Sequence, residues 1–336
     1  VVTHLLSCDW GTSSFRLRLV KIPERVVVDE IREPAGVRAI IATLPEEMRH
    51  SAAAREQAYS TFFAEKVELV LQKNSLSLPL PVVISGMASS TVGWKELPYA
   101  KTPFPIDGAG LVSREFTLRI KRGDLLVFLI SGVATANDIC RGEEMEIIGL
   151  MSLPEWQRYA SDCTVILPGT HSKHMKVQSA SLIDLRTFMT GELFETLSTR
   201  SILAASVEWP PPEFNPDQNS TDRNAFISGI QEAARMGLAA SLFRTRTRSV
   251  LQAESPRSNT FFLDGLLVGA ELSGLATTTE RAPILLAASK KFAASYRIAC
   301  QTLGFADRLR VIPPEQIELS SVFAHVHFFE RFHFQP

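Results

Sequence analysis

The chain has 336 residues, room for two domains of ordinary size, and its 45% hydrophobic and 21% charged residues suit a soluble globular protein with a substantial core. A formal net charge of -1 excludes an overall basic surface for nucleic acid, although a local cluster of donors is enough for a small anionic ligand. No apolar run reaches the ~18 residues of a membrane-spanning helix, and Val1-Val2-Thr3-His4-Leu5-Leu6 lacks the basic start and long apolar stretch of a signal peptide.

Leu5 to Asp9 is short and apolar and reads as a strand. Gly11 to Ser14 is a turn, and Phe15-Arg16-Leu17-Arg18-Leu19 alternates with period two, as a half-buried strand does. Cys8, Cys140, Cys163 and Cys300 lie far apart with no CxxC pair, which points to reduced thiols in the cytoplasm. The stretch from Arg49 to Lys73 predicts a helix with Phe62, Phe63, Val67, Val70 and Leu71 on its apolar face. Pro81 to Gly86 and Leu125 to Ser131 predict short buried strands, and Arg141 to Met151 a helix. Cys163 to Leu167 opens the second half as a strand, runs into Pro168-Gly169-Thr170-His171-Ser172-Lys173-His174, and continues extended through Met175-Lys176-Val177.

That second turn repeats the first. Gly11, Thr12 and Ser14 correspond to Gly169, Thr170 and Ser172, each between two apolar strands, which predicts two related domains facing one cleft. Trp209 to Asn224 and Arg244 to Asn259 read as loops, the second with a solvated basic face. Phe226, Ile230, Ala234 and Leu238 recur at helical spacing, and a helix from Lys290 to Leu303 should stop at Gly304.

Several stretches carry residue types suited to chemistry. In Asp9-Trp10-Gly11-Thr12-Ser13-Ser14, the glycine permits a tight turn whose N–H groups can point at one anion. Asp9, at the strand end, is placed to hold a magnesium ion through water. An ordinary hairpin turn is the plainer account. The second turn offers hydroxyls, imidazoles and the Lys173 ammonium for phosphate. In Arg141-Gly142-Glu143-Glu144, acidic residues at a helix start suit the helix dipole. Glu143 can equally be a base that takes a proton from a substrate hydroxyl, with Asp184 or Glu144 next in line, and Arg141 can hold an anionic substrate or keep Glu143 ionised. Thr190 reads as a helix cap. The polar loop after the Pro81–Gly86 strand, with Met87, Trp94 and Lys95, suits a small polar ligand. His325, His327 and His333 contain a His-x-His pair without a matching acidic or cysteine ligand, a weak metal signal.

Taken together, DWGTSSFR (9–16), SGMASSTVGWKELPY (85–99), RGEEMEIIGL (141–150), LPGTHSKHM (167–175), DLRTFMTGELFETL (184–197) and FLDGLLVGAEL (262–272) resemble the 2-dehydro-3-deoxygalactonokinase family, of the sugar kinase, heat-shock protein 70 and actin superfamily. The resemblance implies an α/β fold of two ribonuclease-H-like, actin-like ATPase domains, 1–155 and 156–336, around a nucleotide cleft. It implies ATP and magnesium as cofactors and phosphorylation of 2-dehydro-3-deoxygalactonate at its 6-hydroxyl in galactonate breakdown. The first phosphate motif would be Asp9 with Gly11, Thr12 and Ser13, and the second Gly169, Thr170, His171 and Lys173. The nucleoside site would follow from Ala287 and Ala288, and the sugar acid would lie against Met87, Trp94 and Lys95. The implied partner is a small sugar acid, with no nucleic acid or membrane, and a homo-oligomer stays open. Related kinases carry glycine where Ala287 or Ala288 stands. That departure favours an inactive nucleotide-binding regulator as one rival reading; a kinase for another sugar acid or a hexose is the other. The stretch from Phe323 to Pro336 departs as well and reads as a divergent, partly exposed terminal helix.

Overall fold

The computed structural model describes residues 2–276 and 281–332. Strands occur at β1 (His4–Trp10), β2 (Phe15–Lys21), β3 (Val26–Glu33), β4 (Val82–Gly86), β5 (Ala100–Lys101), β6 (Phe104–Pro105), β7 (Ser113–Ile120), β8 (Gly123–Ile130), β9 (Val133–Ala134) and β10 (Ile139–Cys140). They continue with β11 (Asp162–Leu167), β12 (Ser172–Gln178), β13 (Ser181–Phe188), β14 (Ile284–Leu286) and β15 (Leu309–Val311). The helices are α1 (Val37–Ala42), α2 (Ala52–Lys73), α3 (Glu143–Met151), α4 (Pro154–Gln157), α5 (Thr190–Arg200) and α6 (Ser220–Met236). After them come α7 (Leu238–Ser241), α8 (Arg244–Gln252), α9 (Pro256–Ala276), α10 (Lys290–Thr302), α11 (Pro314–Glu318) and α12 (Ser320–Phe332). Among the described residues no helix is long and apolar enough to cross a membrane.

The chain divides into two compact units, one of residues 1–161, 178–185 and 318–336, the other of 162–177 and 186–317. In the first, the sheet order is β3-β2-β1-β4-β8-β7. Strand β2 runs antiparallel to β1 and β3, while β1, β4 and β8 are mutually parallel. The other large sheet is also six-stranded, in the order β15-β14-β11-β12-β13-β6, with β11, β14 and β15 parallel. Numbered along the chain, the six strands of the first sheet read 3-2-1-4-6-5 and strands β11 to β15 of the second read 3-2-1-4-5, so the two share the 3-2-1-4 core of the ribonuclease-H order, and each glycine turn joins the first two strands of that core. The short echo at Gly11 and Gly169 is the sequence trace of this repeat.

Both faces of the first sheet are covered, so β1 is buried almost throughout. Leu6, Cys8 and Trp10 face α2, which starts at a Ser51 cap on the Ala54 N–H and buries Tyr59, Phe63, Val67, Val70 and Leu71. Ser7 faces α12 on the other side, where its Oγ lies 2.7 Å from His325 Nδ1. Helix α12 is buried along Val322, Ala324, His325, Val326, Phe328 and Phe329, with Phe328 and Phe329 edge-on to Phe128. The partly exposed terminal helix expected here is exposed only at its end, at Arg331 and Phe332, while Phe328 and Phe329 fill the space above the sheet. The weak metal signal is not met. His325 turns to Ser7 while His327 Nε2 lies 3.1 Å from the Asp107 carbonyl oxygen, and His333 falls outside the described residues.

Two loop expectations also give way. Helix α6 already begins at Ser220, capped by Asn219, so the 209–224 loop ends early. The 244–259 segment is largely helical, as α8 and the start of α9. Its Arg248 is used internally. The guanidinium donates to Asn259 and Ser258 and sits 4.4 Å from the Phe262 ring centroid. Alternating charge suggested a solvated loop, but arginine is a good helix former and these stems pack as well as solvate.

Burial, reinforced by the Arg18 charge, pushes His325 down from 6.5 to about 3. A depressed histidine contributes stability that is full above its unfolded value and lost as pH falls from about 6.5 toward 3. Urea titrations from pH 7 to pH 4 should therefore show a shallower acid loss for His325→Asn than for the wild type; parallel curves would remove His325 from the acid limb.

Candidate active site

The first turn is pinned from two sides. Gly11 N–H donates to Ser14 O at 2.9 Å, closing the hairpin, and the Val37 and Arg38 N–H groups at the start of α1 donate to Gly11 O and Thr12 O. Gly36 makes this approach feasible, since a Cβ there would lie 2.4 Å from Ser13 N and Thr12 O. Trp10 is wholly buried and donates Nε1–H to Ala35 O at 3.0 Å. Asp9 pairs with Arg16 across the hairpin, Oδ2 to Nη2 at 3.1 Å, and both remain partly exposed. Beside Asp9 in register, on β4, stands Ser85, whose buried Oγ has no hydrogen-bond partner among the described residues.

Strand β4 ends at Gly86, with φ of 88°, close to the start of α3. Glu143 accepts the Arg141 N–H at 3.0 Å, and Glu144 accepts the Gly142 N–H through both oxygens. Glu144 is 1% exposed, and burial with the nearby Glu143 charge raises it to about 7. Glu146 rises to about 8, through burial first and then the charges of Glu143 and Asp9. The charges of Asp9 and Glu143 both act on Glu146, so the three carboxylates share one acidic corner. Sequence reasoning missed Glu146, although its place three residues after Glu143 puts both on one helix face. Like-charge crowding of hard oxygens is what a magnesium ion relieves, so the residues fit that cation. Among the described residues the trio with ligand atoms spaced for a metal is Cys140, Glu143 and Glu144, whose thiolate is too soft for magnesium.

Arg141 is placed differently from expectation. Its Nη1 donates to Ser89 O at 2.7 Å, to Ser89 Oγ at 2.6 Å and to Ser131 Oγ at 3.3 Å, Nη2 donates to Leu97 O, and the guanidinium stacks 4.1 Å from the Tyr99 ring centroid. It ties the 85–99 loop to α3 through both terminal nitrogens, while its buried Nε–H has no hydrogen-bond partner among the described residues. Within the loop, Met87 is partly buried against the core. Trp94 is 3% exposed among Trp10, Phe63 and Phe116, so its ring belongs to the core, yet its buried Nε1–H has no partner. Lys95 pairs with Glu56 and lies 4.9 Å from the Phe116 ring centroid.

The second unit carries a cavity of about 690 Å³ next to Gly169 and Thr170. Its walls include Phe194, Trp209, Phe214, Phe261 and Phe292, with Lys290 and Lys291 at the start of α10 and Asp264 on α9. Volume and lining are those of a small-molecule site. Burial raises Asp264 to about 7 against the opposing pull of Lys291. The turn is held by α5. Glu192 N–H donates to Thr170 O at 3.1 Å, and a Cβ on Gly191 would lie 2.6 Å from Gly169 O. Thr190 is the first residue of α5 rather than its cap, and its hydroxyl is spent on Glu271. His171 Nε2 lies 2.5 Å from Glu192 Oε2 at the surface, whereas Lys173 is buried within β12. Ala287 and Ala288 are buried after β14 and do not line the cavity; the helix that follows them does.

Sequence reasoning placed the turn but missed the aromatic walls, Asp264 and the lysine pair. The Trp-Pro-Pro-Pro stretch at 209–212 is the readable part of those walls.

Residues 9–317 match the family described as 2-keto-3-deoxy-galactonokinase. The chain is 32% identical to the 2-dehydro-3-deoxygalactonokinase of Escherichia coli (strain K12) over 312 residues, 90% of this chain and 91% of that one. It is 28% identical over 308 residues to a probable 2-dehydro-3-deoxygalactonokinase of Rhizobium meliloti (strain 1021), covering 90% of each. A crystal structure from Sinorhizobium meliloti, assigned to a 2-dehydro-3-deoxygalactonokinase protein, shares the fold with a TM-score of 0.77 at 24% identity, over 98% of this chain and all of that one. The ribonuclease-H sheet order in both units and the family match across residues 9–317 agree, and the chain belongs to the 2-keto-3-deoxy-galactonokinase family.

Proposed function

We propose that this protein transfers the terminal phosphoryl group of ATP to the 6-hydroxyl of 2-dehydro-3-deoxygalactonate. The observation that carries the nucleotide half of this reading is the aromatic-walled cavity beside Gly169 and Thr170, with Lys290 and Lys291 at its edge. The aromatic faces suit a purine, and the turn and lysines suit phosphate. The substrate follows from family membership and the curated relatives.

In this reading Gly11, Thr12 and Ser13 in the first unit, and Gly169, Thr170 and His171 in the second, each offer N–H and hydroxyl donors suited to phosphate. Lys173 lies behind its turn and adds positive charge from within. Asp9, with Glu146 nearby, would hold magnesium through water; when bound it neutralises charge on the transferring phosphoryl group. Glu143 takes the proton from the attacking hydroxyl. The sugar acid lies along the 85–99 loop, where Met87, Trp94 and Lys95 shape the wall. Arg141 positions that loop. The four cysteines are buried and in the thiol form, which suits a reducing cytoplasm.

Because Ala287 and Ala288 lie outside the cavity lining, the objection that their methyl groups narrow the site loses its basis. An ADP-release panel over sugar acids and hexoses is the test. Magnesium-dependent turnover is expected with 2-dehydro-3-deoxygalactonate and little with glucose. Equal turnover on glucose would overturn the substrate, and silence on every acceptor with ATP still bound would favour the inactive regulator.

A further inference from the structure

We propose that Glu271 is a positioning residue for the phosphoryl donor, a buried carboxylate that fixes the shape of the second phosphate turn; the inference rests on reading the adjoining cavity as the nucleotide site. Helix α9 presents Phe261, Asp264 and Val268 to that cavity. Glu271 follows on the same face, two turns beyond Asp264, and is 3% exposed. Its Oε2 accepts from the Tyr296 hydroxyl at 2.7 Å and from the Thr190 hydroxyl, and its Oε1 lies 3.0 Å from His174 Nε2. The Tyr296 hydroxyl is also 2.9 Å from Ser172 Oγ.

One carboxylate thereby joins four elements, α9, α10, the start of α5 and the strand leaving the turn. Ser172 and His174 anchor the turn from its downstream side. Thr190 anchors it from the other side, since the next residue, Gly191, touches Gly169 and Glu192 holds Thr170 O. Thr190 and Tyr296 themselves line the cavity, so the network is its floor. An apolar side chain would tie helices together at lower desolvation cost than a buried carboxylate. A carboxylate instead imposes directional bonds on three donors, which is what holding backbone amides toward an anion requires. Burial and the Glu271 charge push the Tyr296 phenol far up, keeping it a donor.

Glu271→Gln keeps the shape but leaves one acceptor oxygen where there were two. The KM for ATP should rise at least about tenfold, with the KM for the sugar acid unchanged within about twofold. Tyr296→Phe should raise the ATP value by a smaller factor, and the double variant should be no worse than Glu271→Gln alone, because both break one network. Loss of thermal stability with both KM values unchanged would reduce Glu271 to a core tether and overturn the proposal. ATP binding followed through Trp209 emission, with Trp209→Phe as reference, separates this from failure of the underlying reading. No response of wild-type Trp209 to ATP sinks the nucleotide assignment itself. A normal response with equal affinity in the wild type and Glu271→Gln sinks the positioning role alone. If Glu271→Gln does not fold, Tyr296→Phe carries the same test, and an unchanged KM for ATP there overturns the proposal.

Discussion

Asp9→Asn should lower kcat by about 10²–10³-fold while ATP affinity stays within roughly threefold. Asparagine keeps the size of the side chain and can still accept from Arg16, so the hairpin is undisturbed. What disappears is one negative charge from the corner shared with Glu143 and Glu146. That charge explains part of the upward push on Glu146, and in the proposed reading it is what would draw magnesium to the corner. Steady-state ADP release beside equilibrium ATP binding separates the two effects. Retention of more than about a tenth of wild-type kcat would mean that Asp9 only pairs with Arg16. The same assay sorts the neighbouring carboxylates. Glu143→Gln should abolish turnover with nucleotide binding intact, whereas Glu144→Gln should act mainly on stability, because Glu144 is buried on the Gly142 N–H. An active Glu143→Gln beside a dead Glu146→Gln would move the proton acceptor one helical turn along α3.

Gly265→Ala should destabilise the protein by about 3 kcal/mol, at the upper end of ordinary overpacking, and lower Tm by roughly 6–12 °C. Helices α6 and α9 cross with almost nothing between their backbones. A Cβ on Gly265 would lie 2.0 Å from Phe226 O, and one on Gly229 only 2.2 Å from Phe262 O. Backbone cannot swing aside as a side chain would, so the helices must part. Because α9 carries Phe261, Asp264 and Val268 on the cavity wall, the same change should weaken ATP binding as well. Differential scanning calorimetry gives the first quantity and titration calorimetry the second. A Tm within about 2 °C of wild type would show that the crossing has slack.

What was legible in the sequence follows from local physics. Alternation in Phe15 to Leu19 gave a strand, the apolar face of 52–73 gave α2, and the Gly-Thr-x-Ser repeat marked the two hairpins of equivalent sheets. What stayed hidden depends on contacts between distant segments. Trp94 looked like a ligand platform because it sits in a polar loop, but the aromatic rings of α2 and β7 enclose it. Arg141 looked free for an anion, and only the folded loop supplies Ser89, Leu97 and Ser131 as its acceptors. Glu271, quoted within a motif, gave no sign of Thr190, His174 and Tyr296, which come from three other elements. Alternating arginines in 244–248 were misleading for a different reason: charge alternation says little about helicity when the stems pack.

Helix α12 has a consequence for the order in which the protein is made. It packs on α3 and β1, and its His325 meets Ser7 near the start of the chain. On the ribosome, residues 162–317 emerge before α12 does. The first-synthesised unit must therefore wait, with the α12 face of its sheet uncovered, while the second unit is completed. Domains that emerge whole fold in turn during synthesis; here the earlier one closes last, and its waiting surface is where a chaperone would find this chain.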